Sequence, residues 1–204
     1  MKLRALVVSN FCALSESSLI NAGSFDAGIA QLGAFIKAYA DSHPNWRENL
    51  IVKFMHEGNV STTYEWCVFT TTNLTAAGNV VSVAIANFIT AYRRISTALR
   101  SASTDNNGVI RAQTVWEIGQ TNDTSTSENG LIPFESWYPG DAYVDICSVN
   151  VYNRYGLTSG NSLWTSFEVG VLPALEAFRR CAPGKPIMIG ESSSNDAGMV
   201  NSIS

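Results

Sequence analysis

Apolar positions recur along the chain in two alternating patterns, and their order predicts the architecture. Residues 3–8 form a short apolar run suited to a strand buried on both faces. From Asp26, the residues Ile29, Leu32, Phe35, Ile36 and Tyr39 recur every three or four positions, which is one stripe of a helix that ends before Pro44. LIVKFM at 50–55 reads as a second strand and delivers His56 and Glu57 at its carboxyl end. After a Thr-rich loop, Val81, Ile85, Phe88, Ile89, Tyr92, Ile95 and Leu99 mark a longer amphipathic helix, with Arg93, Arg94 and Arg100 favouring its C-terminal half.

GVIRAQTVWEI then reads as a third strand, introduced by the turn cluster Asp105, Asn106, Asn107 and Gly108. The polar stretch at 119–130 is a loop within the domain, since apolar structure resumes directly after it. A fourth strand spans 143–152, a third helix covers 173–180 with an earlier start from Leu163, and KPIMIGE supplies a fifth strand ending at Glu191. Apolar strands alternating with helical stretches indicate a parallel α/β sheet covered on both faces.

Composition narrows the partners. With 13 Lys+Arg against 17 Asp+Glu among 204 residues, the net charge is −4, which removes the electrostatic footprint of a nucleic-acid binder and gives no attraction to anionic lipid. A mean hydropathy of +0.05 with 46% hydrophobic residues is enough for a sizeable core. No apolar run reaches the length of a membrane span. The first 14 residues imitate a signal peptide, but Ser9 and Asn10 interrupt the apolar stretch and a buried strand explains it more simply. The four cysteines show neither a zinc spacing nor a disulfide scaffold, and Cys147, inside an apolar run, reads as a buried thiol. No cofactor or metal motif is present in the sequence.

In parallel α/β folds the loops after the strands' carboxyl ends build the site. Two carboxylates meet that condition, Glu57 after LIVKFMH and Glu191 after KPIMIG. A carboxylate that follows an apolar run is costly to bury without a partner, so each asks for a reason. Either alone could be a helix cap or one half of an ion pair. Two facing carboxyl groups are what glycoside cleavage needs, one protonating the departing oxygen and the other attacking the anomeric carbon or activating water. A serine hydrolase fits poorly because GESSS lacks the final Gly of a nucleophile elbow, and a zincin fits worse because Val60 stands where the second His is required. Aromatic faces that could stack on sugars occur at or after strand ends as Trp66, Trp116 and Tyr152.

KFMHEGN, YEW, VWEIGQTN, WYPGDAYVDICSVNVYN, SFEVGVLPAL and APGKPIMIGESSS, in this order, resemble the blocks of glycoside hydrolase family 26, retaining β-mannanases and related β-glycanases with a (β/α)₈ TIM-barrel fold. The resemblance covers most of residues 20–194. It implies that Glu57 is the general acid/base and Glu191 the nucleophile, that His56 and Asn59 contact substrate, that Tyr152 hydrogen-bonds the nucleophile, and that Trp66 and Trp116 line sugar subsites. It also implies a polysaccharide or oligosaccharide substrate, most simply β-mannan, no cofactor, and a secreted full-length protein. A mechanism of this kind requires Glu57 to carry a proton as the leaving group departs, which an ionised Glu191 nearby would favour. Where the family usually has Arg, Met or Phe, and Asp, this chain has Lys53, Gly58 and Asn150. Three N-x-S/T sequons occur at Asn59, Asn73 and Asn122, the first of them inside the presumed cleft.

Two other readings stay open at this level: a sugar-binding or inactive barrel fragment, and a related hydrolase acting on xylan, β-glucan or capsular polysaccharide. If Glu57 ends barrel strand four and Glu191 ends strand seven, residues 1–204 form one catalytic domain corresponding to strands three to seven, about five of eight. Oligomeric state is not encoded in any pattern here.

Overall fold

In the computed structural model, residues 4–7, 19–43, 50–59, 79–119, 133–157 and 164–195 are described. They form a five-stranded parallel sheet with strands in sequence order, β1 (Arg4–Val7), β2 (Leu50–Lys53), β3 (Ala112–Gly119), β4 (Ile146–Asn153) and β5 (Ile187–Ser194). Helices α1 (Asp26–Ser42), α2 (Asn79–Ala102) and α3 (Phe167–Cys181) connect them, with a 3₁₀ turn at Phe134–Trp137. All five strands, three helices and their order match the sequence reading, with boundaries displaced by a few residues.

The two faces of the sheet differ in chemistry because alternate residues point to opposite sides. Val52, Phe54, Trp116, Ile118, Cys147, Val149 and Val151 pack with Phe88, Tyr92, Leu99 and Phe178 into the main core between sheet and helices. The opposite, concave-side residues Ile51, Val115 and Ile146, with Met188 against them, form a second, small apolar layer. One step further along the strands that same side carries Lys53, Glu117 and Ser148, and then Asn150. An apolar floor under polar residues at the carboxyl ends is the layering expected of a barrel interior.

Helix ends follow local chemistry. Ser166 caps α3 by accepting from the Val169 N–H at 3.3 Å, Glu168 sits in the first turn, and Arg179 and Arg180 sit in the last. The turn before β3 is held by Asp105, which accepts from the N–H groups of Asn107 and Val109, both at 2.9 Å, and pairs with Arg111. Gly108 supplies the positive φ that this turn needs.

The stripe predicted for α1 is corrected. Phe35 is 66% exposed and Tyr39 lies on the surface stacked on His43, whereas Ile29, Gly33, Ile36 and Ala40 are buried. The reason is the close approach of α2: a Cβ at Gly33 would stand 2.4 Å from the Ala102 Cβ and 3.0 Å from its carbonyl carbon. Apolar character misplaced the stripe because its centre is a residue with no side chain. Gly33→Leu is expected to force the two helices apart and destabilise the fold by about 1–3 kcal/mol, the usual range for overpacking, as read by urea unfolding.

Cys147 is fully buried, as expected, and burial pushes its thiol up to about 12. No helix among the described residues is long and apolar enough to cross a membrane.

Candidate active site

The site begins where β2 ends. After Lys53 the chain leaves the sheet in a tight turn carrying His56, Glu57, Gly58 and Asn59, all of them buried. Met55 and Glu57 both adopt left-handed backbone conformations, φ 50° and 53°, which for non-glycine residues persist only where surroundings enforce them. The enforcing contacts come from β3. The Glu57 N–H donates to the Glu117 carbonyl at 3.0 Å, the Asn59 amide donates to the Gly119 carbonyl at 3.0 Å, and the Gly119 N–H returns a bond to Asn59 Oδ1 at 2.8 Å. Gly58 also has a packing reason: Phe88 of α2 occupies the place a Cβ would need, its Cε2 only 2.4 Å away.

Glu191 reaches the same side through an irregularity in β5. Val149 pairs with Ile189 but Asn150 pairs with Glu191, so Gly190 is an extra residue in the strand. Strict alternation would point Ile187, Ile189 and Glu191 together toward the helix side. The bulge shifts the phase by one and re-aims Glu191 to the side of Asn150 and Lys53, while Ile187 and Ile189 stay exposed on the other. Gly190 is required there, since a Cβ would fall 1.8 Å from Glu117 Oε2, 2.6 Å from Ser148 Oγ and 2.7 Å from Asn150 Oδ1. Gly190→Ala is therefore expected to displace the Glu117 carboxylate and lower thermal stability by the equivalent of about 1–3 kcal/mol. Scanning calorimetry beside Gly184→Ala, where a Cβ meets nothing within 4 Å, separates this clash from a general effect of removing glycine.

Between the two carboxylates lies a third that the sequence reading did not single out. Glu117 has a side-chain exposure of 0%. Its Oε1 accepts from Lys53 Nζ at 2.9 Å and from Asn150 Nδ2 at 3.0 Å, and its Oε2 accepts from Ser148 Oγ at 2.9 Å. Lys53 also donates to Glu191 Oε1 at 2.8 Å, and Asn150 also donates to Glu57 Oε1 at 2.8 Å. The result is one continuous chain, Glu57–Asn150–Glu117–Lys53–Glu191. Asn150 turns its donor to two carboxylates and leaves its buried Oδ1 without a hydrogen-bond partner among the described residues. That orientation follows from acceptor-only neighbours.

The charges respond to this arrangement. Burial pushes Glu117 upward, and the bonds from Lys53 and Ser148 only partly offset it. For Glu191 burial also acts upward, but the hydrogen bonds from Lys53 and Tyr152 outweigh it and hold the carboxyl below its ordinary range. Burial acts to lower Lys53, yet its bonds to Glu191 and Glu117 prevail and keep it protonated. His56 is held below its usual value by burial and by the Lys53 charge, against an opposing pull from Glu191.

The expected site residues separate into three groups. Glu57, Glu191, His56 and Tyr152 come together; the Tyr152 hydroxyl donates to Glu191 Oε2, and Glu191, with 40% of its side chain exposed, is the open member. Trp116 is corrected: it is 1% exposed and packs at 5.1 Å against Tyr138 and 5.6 Å against Phe178 in the helix-side core, leaving no face for a sugar. Asn59 is corrected too, because it is buried with its amide committed to Gly119, and so it clamps the turn to β3 instead of meeting substrate. Trp66 lies outside the described residues. No cluster of metal-binding side chains occurs among the described residues.

Known proteins share this architecture. The structure is similar to the catalytic domain of a GH26 endo-β-1,4-mannanase from Bacillus sp. JAMB-750, with 20% identity, a TM-score of 0.56, and 87% of this chain and 40% of that one covered. It is also similar to a double mutant of the Cellulomonas fimi endo-β-1,4-mannanase, with 17% identity, a TM-score of 0.54, and 94% of this chain and 40% of that one covered. The fold is similar to a part of these two structures. The five parallel strands thus match an arc of a (β/α)₈ barrel. Among curated proteins, Endoglucanase H of Acetivibrio thermocellus is 27% identical over 179 residues, 88% of this chain and 17% of that protein. The chain spans well under half the length of each of these proteins. No family model matches it.

Proposed function

We propose that the chain carries the acid and nucleophile of a retaining glycoside hydrolase that cleaves internal β-linkages in a neutral polysaccharide, β-mannan first among them. The observation that supports this reading is the chain of hydrogen bonds that ties two carboxylates, one from the turn after β2 and one from the middle of β5, into one cluster. In this reading Glu191, ionised by its bonds to Lys53 and Tyr152, attacks the anomeric carbon. Glu57, held at Oε1 by Asn150, gives a proton to the departing glycosidic oxygen. The covalent glycosyl ester at Glu191 is then released by a water whose proton returns to Glu57, so the anomeric configuration is kept. Retention goes with carboxyl groups ~5–5.5 Å apart, and inversion with ~6.5–9.5 Å.

A second substrate class has its own support, since the curated relative is named an endoglucanase. The deciding experiment is a reducing-sugar assay of the purified chain over β-mannan, galactomannan, mixed-linkage β-glucan, carboxymethylcellulose and xylan, with ¹H NMR of the first anomer formed. Release of β-anomer from mannan is the expected result. Initial α-anomer would refute retention, release from β-glucan alone would move the substrate, and binding without release on every polymer would make the chain a sugar-binding module.

A further inference from the structure

Glu117 is hard to explain as part of the core. It stands in mid-strand, it is closed to solvent, and a single hydrophobic residue would fill the same space without a charge to compensate. What distinguishes it is its place in the hydrogen-bond chain. Each candidate catalytic carboxylate accepts from a donor that it shares with the same oxygen, Glu117 Oε1: Asn150 for Glu57 and Lys53 for Glu191. Ser148 fixes the other oxygen, so the carboxylate cannot swing away from either donor. The backbone carbonyl of the same residue receives the Glu57 N–H, and Gly190 leaves the gap into which its side chain fits. Three strands and the turn after β2 thus converge on one residue.

We propose that Glu117 is a positioning residue of the site: its buried carboxylate fixes, through Lys53 and Asn150, the placement of Glu191 and Glu57 and the charge balance between them. The inference deepens the glycosidase reading and rests on it for its catalytic consequence, but its physical core, coupling between Glu117 and Glu191, holds or fails independently. The groups facing the pair are Lys53 from β2, His56 and Glu57 from the turn, and Ser148, Asn150 and Tyr152 from β4. Of these only Lys53 divides its bonds between Glu117 and Glu191. With the Glu117 charge present, part of the Lys53 field is spent on it, and a negative neighbour opposes ionisation of Glu191. Removing that charge frees Lys53 for Glu191 alone.

The test is ¹³C-carboxyl NMR titration of Glu191 in the full chain, alongside kinetics on whichever panel polysaccharide is cleaved. In Glu117→Gln the Glu191 midpoint should fall by about one pH unit, and in the double variant Glu117→Gln/Lys53→Met it should rise above the wild-type value. The fall in Glu117→Gln is something a purely structural role would not produce, and its reversal on removing Lys53 as well shows that it runs through the lysine. Turnover of Glu117→Gln should drop about tenfold or more in kcat, with KM little changed and the acid limb of the pH profile moved to lower pH. Glu117→Asp keeps the charge and shortens its reach. It should lie between wild type and Glu117→Gln, and it carries the test if Glu117→Gln does not fold. A Glu191 midpoint and kcat unmoved in both single variants would overturn the proposal. Shifted midpoints in a wild-type chain that cleaves no polymer would sustain the coupling and refute the glycosidase reading instead.

Discussion

Replacing Lys53 by methionine is expected to cost the fold about 3–5 kcal/mol at neutral pH, the range for breaking a buried ion pair from one side. Methionine matches the length of the lysine stem, so packing changes little. What changes is the charge: Lys53 exposes 6% of its side chain and Glu117 none, so the carboxylate left behind can recruit no solvent. Asn150 and Ser148 still donate to it, but neither carries a charge. The pH dependence of the loss follows from the two carboxyls that Lys53 serves. Glu117 already sits above its unfolded value because burial outweighs its bonds, and without the ammonium it rises further. A raised carboxyl favours the fold below its unfolded value and loses that contribution as pH rises through its folded value. The variant's deficit should therefore be large at pH 7 and shrink on acidification. Glu191 acts oppositely in the wild type, where its depressed value adds stability above the unfolded value, about 4.3, and forfeits it as pH falls. Both effects narrow the gap between wild type and variant in acid. Urea unfolding at pH 7 and pH 4.5 reads the Glu117 part of the difference, because Glu191 keeps most of its contribution until pH falls below about 4.3. An equal loss at both pH values would mean that packing, not charge, holds this residue.

The same carboxylates show what the sequence could and could not convey. Strands and helices are legible because apolar runs and helical spacing are properties of single segments, as LIVKFM at 50–55 and the spacing from Ile29 to Ile36 illustrate. Glu57 and Glu191 were legible because each directly follows an apolar run. Glu117 lies inside a strand and not after one, yet it carries a signal: one acid in the middle of VWEIG has no place in an apolar strand unless something pairs with it. Period two also places Trp116 and Glu117 on opposite faces, so a paired, inward Glu117 already requires an outward Trp116. The bulge at Gly190 had no comparable signal, because an extra residue exists only relative to the neighbouring strand. Without it the register reads Glu191 as helix-facing. Lys53 and Asn150, marked by the family resemblance only as departures, prove to be the two donors that join the cluster.

Glu191→Ala is expected to lower turnover by about 10⁴–10⁶-fold, the scale on which loss of a covalent nucleophile acts, with the fold intact. The fold should survive because Lys53 keeps Glu117 as its partner and Glu191 is the exposed member of the cluster. What disappears is the one carboxylate that the site keeps ionised below its ordinary range. Loss of activity alone does not tell a nucleophile from a general base, but the vacated space does. Azide is small enough to enter it and attack the anomeric carbon of a substrate with a good leaving group, releasing a glycosyl azide of inverted configuration. In Glu57→Ala the proposed nucleophile remains, and under the proposed double displacement azide instead intercepts the covalent sugar ester on its second step, giving a product of retained configuration. Opposite azide stereochemistry from the two variants assigns both roles in one measurement on an aryl glycoside. Rescue with the same configuration in both, or turnover of Glu191→Ala at the wild-type rate, would refute the assignment of attack to Glu191 in β5 and of proton transfer to the turn after β2.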